Sequence, residues 1–406
     1  MNSIPLAIAV PVLIFTVLLL AQATPQGAAV TNTDAGGILA YLEAGGSPAA
    51  HDPYGQTPLH FAAMYDRADI AALLLDRNAD VNARTFNGTT PLDIAATLKN
   101  ATLAKLLIDR GADVRAAYPS GRTVLHIAAN SGSVETVRLL IEKGADPNAH
   151  ALNGAAPIHE AIQHGSREIV ALLLESGAHI NDVKSATGAT PLNQAASMGD
   201  ARMVEFLLER NADPGIKDNA GLSPLDNAVR FHRTEAARVL LARAGGADAS
   251  LLEHAVRKGQ TDIVELLLAR NVNANAAFPS GSTPLHEAAL EGRNEIIKLL
   301  LAKGVDINGR NKSGATALHD AALNNKLSTV ALLLEHGADP NARESESGDT
   351  PLYLAASFRR DDIVALLLEK GADPNIVNRD GATPLHAALV NGYSSVADRI
   401  RARGGK

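Results

Sequence analysis

The stretch that decides the fold reads GDTPLYLAASFRRDDIVALLLEKG and occupies residues 348–371. Thr350 can cap the free N–H groups at the start of a helix, and Pro351 suits the first helical position, where a missing N–H costs nothing. A second helix carries the apolar block Leu366–Leu368, and an apolar residue three positions earlier completes one helical face. Gly371 then ends that helix, because glycine tolerates a left-handed C-terminal cap. The stretch therefore predicts two short consecutive helices.

The same pattern recurs along almost the whole chain. A glycine stands before a Thr-Pro-Leu-His-like block at Gly55, Gly88, Gly121, Gly154, Gly188, Gly221, Gly281, Gly314, Gly348 and Gly381. Successive glycines are 33 or 34 residues apart, except for one step of 60 residues from Gly221 to Gly281. That step is six residues short of two regular units, and Asp248 takes the glycine position between them. The chain is therefore predicted to hold eleven repeats, after a degenerate half-repeat around Asp34 to Ser47.

The 33-residue period, the Thr-Pro-Leu-His block and the paired small residues such as Ala62–Ala63 resemble the ankyrin repeat. The resemblance covers roughly residues 34–404. It implies an all-α repeat solenoid in which each repeat supplies two antiparallel helices and a projecting β-hairpin loop. The predicted domains are a signal peptide at residues 1–23, a degenerate N-terminal capping half-repeat and linker at 24–54, and eleven ankyrin repeats at 55–406.

Two parts of the array depart from the pattern. A hairpin tip is missing near residues 242–249, where Ala244–Ala247 runs almost directly into the next helix. The last repeat, residues 381–404, carries Arg399 and Arg401 where other repeats have leucine. Such a polar outer face is what a C-terminal cap needs, because solvent covers it in place of a further repeat.

The N-terminal residues have the features of a targeting segment. Residues Ile4 to Ala21 carry no charge and are almost all apolar, and Ala21-Gln22-Ala23 is a small-x-small cleavage pattern. We predict cleavage after Ala23 and a periplasmic or secreted protein. The alternative is an uncleaved, N-terminally membrane-anchored protein, because about 20 apolar residues can span a bilayer.

Composition excludes several functions. The formal net charge is −7, which argues against general nucleic-acid binding, since that needs a basic surface. The chain has no cysteine, so disulfides, thiolate catalysis and cysteine-ligated metals are excluded.

Histidine is the residue type that most invites a catalytic interpretation. Six histidines occupy one repeat position, namely His60, His126, His159, His286, His319 and His386. Hydrogen bonding in the turn that opens each first helix explains that spacing. His159-Glu160 with His164 is one residue too long for a zinc-protease helix, which needs its histidines four apart. We therefore expect no metal, no cofactor and no enzymatic activity.

Aromatic residues at positions that vary between repeats are the candidate binding residues. The candidates at hairpin tips are Tyr54, Phe86, Tyr118 and Phe278, and those on the first helices are Phe61, Tyr65, Phe231 and Phe358. Ankyrin-repeat proteins usually bind partners through these two regions, so the resemblance implies the same here. Tyrosine and phenylalanine also concentrate at interface centres. The alternative is that each ring packs against its own repeat and stabilises only that loop.

The predicted function is that of an exported, monomeric scaffold that binds another protein. One alternative is a dedicated inhibitor or protective partner of a single periplasmic or secreted enzyme or toxin. An enzyme with an unrecognised site is the remote alternative. No nucleic-acid partner is expected, and membrane contact is expected only through an uncleaved leader.

Overall fold

The computed structural model of the protein describes residues 35–406. The predicted signal peptide, its cleavage site after Ala23 and the first part of the predicted linker lie outside the described residues. The described chain divides into two compact units, residues 35–191 and residues 192–406. It is built from 23 helices, which confirms the all-α repeat fold.

A single helix precedes eleven helix pairs. The first unit contains α1 (Ala35–Glu43), α2 (Pro58–Met64), α3 (Ala68–Asp76), α4 (Pro91–Thr97), α5 (Ala101–Asp109), α6 (Val124–Ser131), α7 (Val134–Glu142), α8 (Pro157–His164) and α9 (Arg167–Glu175). The boundary falls at the start of α10 (Pro191–Met198), which is followed by α11 (Ala201–Glu209), α12 (Pro224–Arg230), α13 (Thr234–Arg243), α14 (Ala249–Lys258), α15 (Thr261–Ala269), α16 (Pro284–Glu291), α17 (Asn294–Ala302), α18 (Ala317–Leu323), α19 (Leu327–Glu335), α20 (Pro351–Ser357), α21 (Asp361–Glu369), α22 (Pro384–Val390) and α23 (Ser394–Ala402).

The first helix of a repeat begins at a capping residue, as the sequence predicts. At α4 the Thr90 hydroxyl accepts a hydrogen bond from the backbone N–H of Asp93 at 3.2 Å. The Asp93 carboxylate in turn accepts from the Thr90 backbone N–H at 2.8 Å. This reciprocal pair satisfies two N–H groups that the helix itself leaves unbonded, and Pro91 has no N–H to satisfy.

The end of each regular second helix is also predictable from its residue. The second residue after the helix has a left-handed backbone at Asn78, Gly111, Gly144, Gly177, Asn211, Asn271, Gly304, Gly337 and Gly371. Asparagine and glycine are the residues that adopt this conformation most readily, which is why each of these repeats carries one or the other.

Small residues on the first helices and leucines on the second helices form the core. Ala62, Ala63, Ala128 and Ala129 are completely buried, and so are Leu74 and Leu173. Alanine lets neighbouring first helices approach closely, while each buried leucine contributes about 1.5–3 kcal/mol of apolar transfer energy. With few aromatic residues available, this repeated aliphatic packing supplies most of the burial.

A finger, meaning the loop between a second helix and the next first helix, surrounds each repeat glycine. The fingers are tight turns: at Gly121 the turn is closed by the Tyr118 N–H, which donates to the Arg122 carbonyl at 2.8 Å. Isolated antiparallel bridges occur in three fingers of the described chain, at Ala117–Thr123, Lys184–Ala189 and Arg310–Thr316.

The predicted gap in the finger row lies within the second unit. Only five residues separate Arg243 at the end of α13 from Ala249 at the start of α14. Gly245 and Gly246 both have left-handed backbones, with φ of 72° and 84°, and both are exposed. The boundary between the two compact units lies elsewhere, at Pro191.

Candidate partner-binding surface

Buried histidines hold the fingers in place. At the start of α6 the Thr123 backbone N–H donates to Nδ1 of His126 at 3.1 Å, and Nε2 lies 2.9 Å from the carbonyl oxygen of Ala155 in the next finger. Because Nδ1 accepts the backbone N–H, Nε2 carries the proton and donates to that carbonyl. The ring is thus a neutral bridge between repeats.

The same bridge recurs at other repeats. His60, His286 and His319 place Nε2 between 2.9 and 3.1 Å from a carbonyl oxygen of the following finger. Burial lowers the pKa of each of these rings, and it lowers the pKa of His126 to about 4. The repeated histidines are therefore structural, as expected. His386 in the last repeat is instead exposed.

Outward-facing finger tips form the clearest candidate surface of the first unit. The second residue before the repeat glycine points into solvent: Phe86 is 77% exposed and Leu152 is 80% exposed. Tyr54 directly precedes Gly55 and is also exposed. The Phe86 N–H donates to the Tyr54 carbonyl at 3.1 Å, and the Leu152 N–H donates to the Ser120 carbonyl at 2.7 Å. Backbone bonds thus join two pairs of adjacent tips, and exposed Pro119 occupies the tip between Phe86 and Leu152. We call this row of apolar tips, along four successive repeats, the apolar edge.

Two of the predicted tip aromatics do not belong to this edge. Phe278 is only 4% exposed, which corrects the prediction that it presents its ring to a partner. It is the third residue before its glycine, and that position faces inward, as buried Ala151 and Asn378 also show. Tyr118 has the same position and is half-buried.

The Tyr118 side chain has a structural neighbour. Its phenol interacts electrostatically with the buried carboxylate of Asp93 at the start of α4. Burial raises the pKa of Tyr118 above its usual value, and the nearby Asp93 charge adds to that effect. Most of this ring therefore stabilises the finger rather than forming an open contact surface.

The first-helix candidates separate by position. Phe61 is 6% exposed and lies within α2, so the prediction that it contacts a partner is also corrected. Tyr65, Phe231 and Phe358 each directly follow a first helix and remain roughly half exposed. These three lie at the turn between the first and the second helix of a repeat, at the opposite end of the first helix from the finger. We call this end of the repeat the loop end.

Leu98 and Leu152 are exposed apolar residues that sequence reasoning missed. Leu98 occupies the position of Tyr65, ten residues after its glycine, and Leu152 occupies the position of Phe86. Attention to aromatic residues alone hid them. Counting the distance from the repeat glycine identifies both positions.

The loop-end residues precede an unusual backbone conformation. Asp66, Lys99, His232 and Arg359 follow Tyr65, Leu98, Phe231 and Phe358, and each has a φ between 53° and 60°. Non-glycine residues pay about 1–2 kcal/mol for this left-handed conformation. At the same position six other repeats carry glycine, for example Gly132 and Gly165.

The second unit presents different chemistry. Glu287 on α16 and Asp320 on α18 occupy equivalent positions, and burial, together with the charges of Glu287 and Glu344, raises the pKa of Asp320 to about 7. A polar cavity of about 260 Å³ lies beside Glu287 and is lined by Ser280, Ser282 and Ser313 among others. Arg257 forms an ion pair with Glu287 at 3.1 Å, and this pairing partly neutralises the negative charge of the Glu287 carboxylate.

Within residues 35–406, three or more histidine and acidic side chains nowhere come together as metal ligands. The helices in that range are also too short or too polar to cross a membrane.

The comparisons with known proteins agree with the repeat geometry. Family models described as ankyrin repeats match residues 27–118, 115–184, 182–228, 252–344 and 342–404. The chain belongs to the ankyrin-repeat family.

Two relatives share short stretches with this chain. It is 48% identical over 48 residues to ankyrin repeat protein FPV233 of fowlpox virus (strain NVSL), which is 12% of this chain and 9% of that protein. It is 39% identical over 51 residues to ankyrin repeat-containing protein P1E11.10 of Schizosaccharomyces pombe, which is 13% of this chain and 25% of that protein. The matches thus span a quarter or less of either relative and extend over one to two repeats.

Proposed function

We propose that this protein is an exported scaffold that binds a partner protein through the outward-facing finger tips of its first unit. The observation that carries the proposal is the exposed apolar edge formed by Tyr54, Phe86 and Leu152. Neighbouring exposed apolar side chains usually mark an interaction site, because contact with water is unfavourable for them and the fold does not need them at the surface. Membership of the ankyrin-repeat family favours a protein as the partner.

The loop-end residues Tyr65 and Leu98 extend the candidate surface along the same two repeats. Both are exposed and lie at the opposite ends of α2 and α4 from the finger tips. A partner that contacts both ends would cover the length of a first helix.

The export part of the proposal rests on the N-terminal sequence. An uncharged apolar run from Ile4 to Ala21, followed by Ala21-Gln22-Ala23, supports cleavage after Ala23. N-terminal sequencing of the exported protein should find Thr24 first. A membrane-bound product that retains Met1 would favour the anchored alternative.

The binding proposal is tested by comparing two double variants of the mature chain. Phe86→Ala with Leu152→Ala removes the apolar tips, whereas Lys312→Ala with Glu346→Ala changes tips in the second unit that are also exposed. Each protein is immobilised and exposed to the periplasmic or secreted proteins of its own source. We expect wild type and the Lys312/Glu346 control to retain a shared protein that the Phe86/Leu152 variant loses, with melting temperatures unchanged.

Two results would count against the proposal. Equal retention by the apolar-tip variant would exclude these tips as the interface. A loss of retention that only follows a lower melting temperature would show that the tips stabilise the fold.

A single protein retained in a one-to-one ratio would favour the inhibitor or protective-partner form of the proposal.

A further inference from the structure

Regular neighbouring repeats are joined at their finger ends. Between the repeats of Gly281 and Gly314, the Lys312 N–H donates to the Gly281 carbonyl at 2.9 Å. Nε2 of His286 lies 2.9 Å from the carbonyl oxygen of Ala315. One bond thus connects the two tips, and the other connects a first helix to the next finger.

The same two repeats are also joined at their loop ends. The Asn294 side-chain amide donates to the Ser328 hydroxyl at 3.1 Å, and the Thr329 hydroxyl donates to Oδ1 of the Asn294 side chain at 2.7 Å. Bonds at both ends of the helices fix the angle between neighbouring repeats. Rotation about either end would break the bonds at the other.

The junction between α12–α13 and α14–α15 keeps its loop-end bonds. The Asp262 carboxylate accepts from the Thr234 hydroxyl and lies 2.8 Å from Nε2 of His232. The Gln260 side-chain amide also donates to the Val229 carbonyl at 3.0 Å. We call the group of His232, Thr234 and Asp262 the clasp.

The finger end of this junction has no equivalent bonds among the described residues. From Ala244, which donates to Leu240, to Leu252, which donates to Asp248, the backbone makes no hydrogen bond to a neighbouring repeat. The histidine position of the preceding repeat is occupied by Asp226, whose carboxylate accepts from the Ser223 N–H of its own helix cap at 2.8 Å.

The asparagine bridge that supports other fingers is also missing here. In a regular repeat Asn308 donates to the Gly337 carbonyl and accepts from the Asp339 N–H at 2.8 Å. Gly215 occupies that position before α12, and the six-residue deletion removes the position before α14. Both losses affect the finger end, so bonds across this junction survive only at its loop end in the described chain.

We propose that the second unit contains a hinge at Gly245–Gly246, which bends about the clasp and opens at the finger end. The clasp keeps the two groups of repeats in contact at one edge, while the exposed glycines absorb the change in backbone angles. The hinge lets residues 249–406 tilt against residues 192–243. Such a movement changes the spacing between the finger tips on its two sides.

The absence of cysteine from the chain makes a direct distance measurement possible. Cysteines that replace Ala220 and Pro279 carry spin labels on the fingers either side of the gap, two repeats apart. Cysteines that replace Pro279 and Glu346 form the matched control, since they span two regular repeats. All of these positions are exposed. We expect a broad distance distribution for the first pair and a narrow one for the control.

Two variants then test the cause. Replacing Ala244–Ala247 with the ten-residue sequence of residues 304–313 restores the regular step and should narrow the first distribution to the width of the control. Asp262→Ala removes the clasp and should broaden the distance distribution of the first pair further. Asn294→Ala removes the loop-end bonds of a regular junction, and it should leave the distribution of the control pair narrow because the finger-end bonds of that junction remain.

Equal widths for the two pairs in the unaltered protein would overturn the hinge. So would a distribution that stays broad after the finger is restored in a variant that melts cooperatively. Amide hydrogen exchange of α14 gives a second measurement, because opening at the finger end exposes its first turn. Exchange there that matches the first turn of α16 would also contradict the proposal.

Discussion

The finger tips of the two units differ although their supporting residues are alike. In residues 35–191 the outward tip position carries Phe86, Pro119 and Leu152, whereas in residues 192–406 it carries Pro279, Lys312, Glu346 and Arg379, and all of these side chains are exposed. Charged groups therefore occupy this structural position in three repeats of the second unit, where the first unit carries apolar groups.

The first helices vary six residues after the repeat glycine, but this variation does not follow the two units. That position holds Phe61, Ile94, Ile127 and Glu160 in the first unit, and Glu287, Asp320 and Leu354 among others in the second. The apolar residues are buried or half-buried, whereas burial and the charges of Glu287 and Glu344 raise the pKa of Asp320. The difference teaches that the buried scaffold is common to both units, and that the surface chemistry is set by a few variable positions.

Acidification should have the largest effect on the free energy of unfolding. It should destabilise both units, because each unit contains buried histidine bridges. Burial lowers the pKa of His126 to about 4, and of His286 and His319 below their usual value. Between about pH 6.5 and pH 4 the unfolded chain binds protons that the folded chain does not, so stability falls as the pH falls. His126 alone should account for about 3 kcal/mol of that loss.

Urea unfolding at several pH values measures this effect. The variant His126→Gln removes one titrating group, so its free energy of unfolding should depend less steeply on pH between 6.5 and 4. A slope equal to that of wild type would show that the bridge does not control acid stability. Acid destabilisation of one unit only would show that the histidine bridges do not stabilise the two units alike.

Much of the scaffold could be predicted from sequence because its residues act locally. Thr90, Pro91 and Asn78 cap or end helices through bonds within a few residues, so one repeat is enough to identify each role. The missing finger near residues 242–249 was visible for a similar reason, since six absent residues change the period of the pattern.

The surface is harder to predict, because a shift of one residue relative to the repeat glycine decides whether a side chain of the finger is exposed or buried. Phe86 and Phe278 are both tip phenylalanines, yet the first points outward and the second inward. The contact between Tyr118 and Asp93 and the charge effect of Glu287 on Asp320 join residues of different repeats. Their proximity follows from stacking, which residue identity alone does not reveal.

Truncation of the two tip phenylalanines should separate the inward position from the outward one. Phe278→Ala should destabilise the second unit by about 3–5 kcal/mol, because it removes a buried ring and leaves a cavity. Phe86→Ala should change stability by less than about 0.5 kcal/mol, as expected for an exposed side chain. Chemical denaturation of both variants measures the difference. Similar midpoints would mean that the inward and outward positions are not distinct in solution.

Removing the charge of Asp320 should have the smallest effect and the opposite sign. Burial and neighbouring acids raise the pKa of Asp320 to about 7, whereas an unfolded aspartate titrates near its usual value of about 4. The folded state therefore holds the proton more tightly, and stability falls as the pH rises from about 4 to 7. Asp320→Asn removes this cost and should stabilise the second unit by about 1–3 kcal/mol at pH 8.

The pH dependence of that gain is what identifies its cause. Below about pH 4 the aspartate is protonated in both states, so Asp320→Asn and wild type should unfold at the same urea concentration. Glu335→Gln removes one negative charge from α19 of the same repeat, where the side chain is exposed, and controls for a general effect of net charge. A gain at pH 8 that Glu335→Gln reproduces would assign the effect to net charge. A gain that persists unchanged at pH 4 would assign the effect to packing and not to the charge of Asp320.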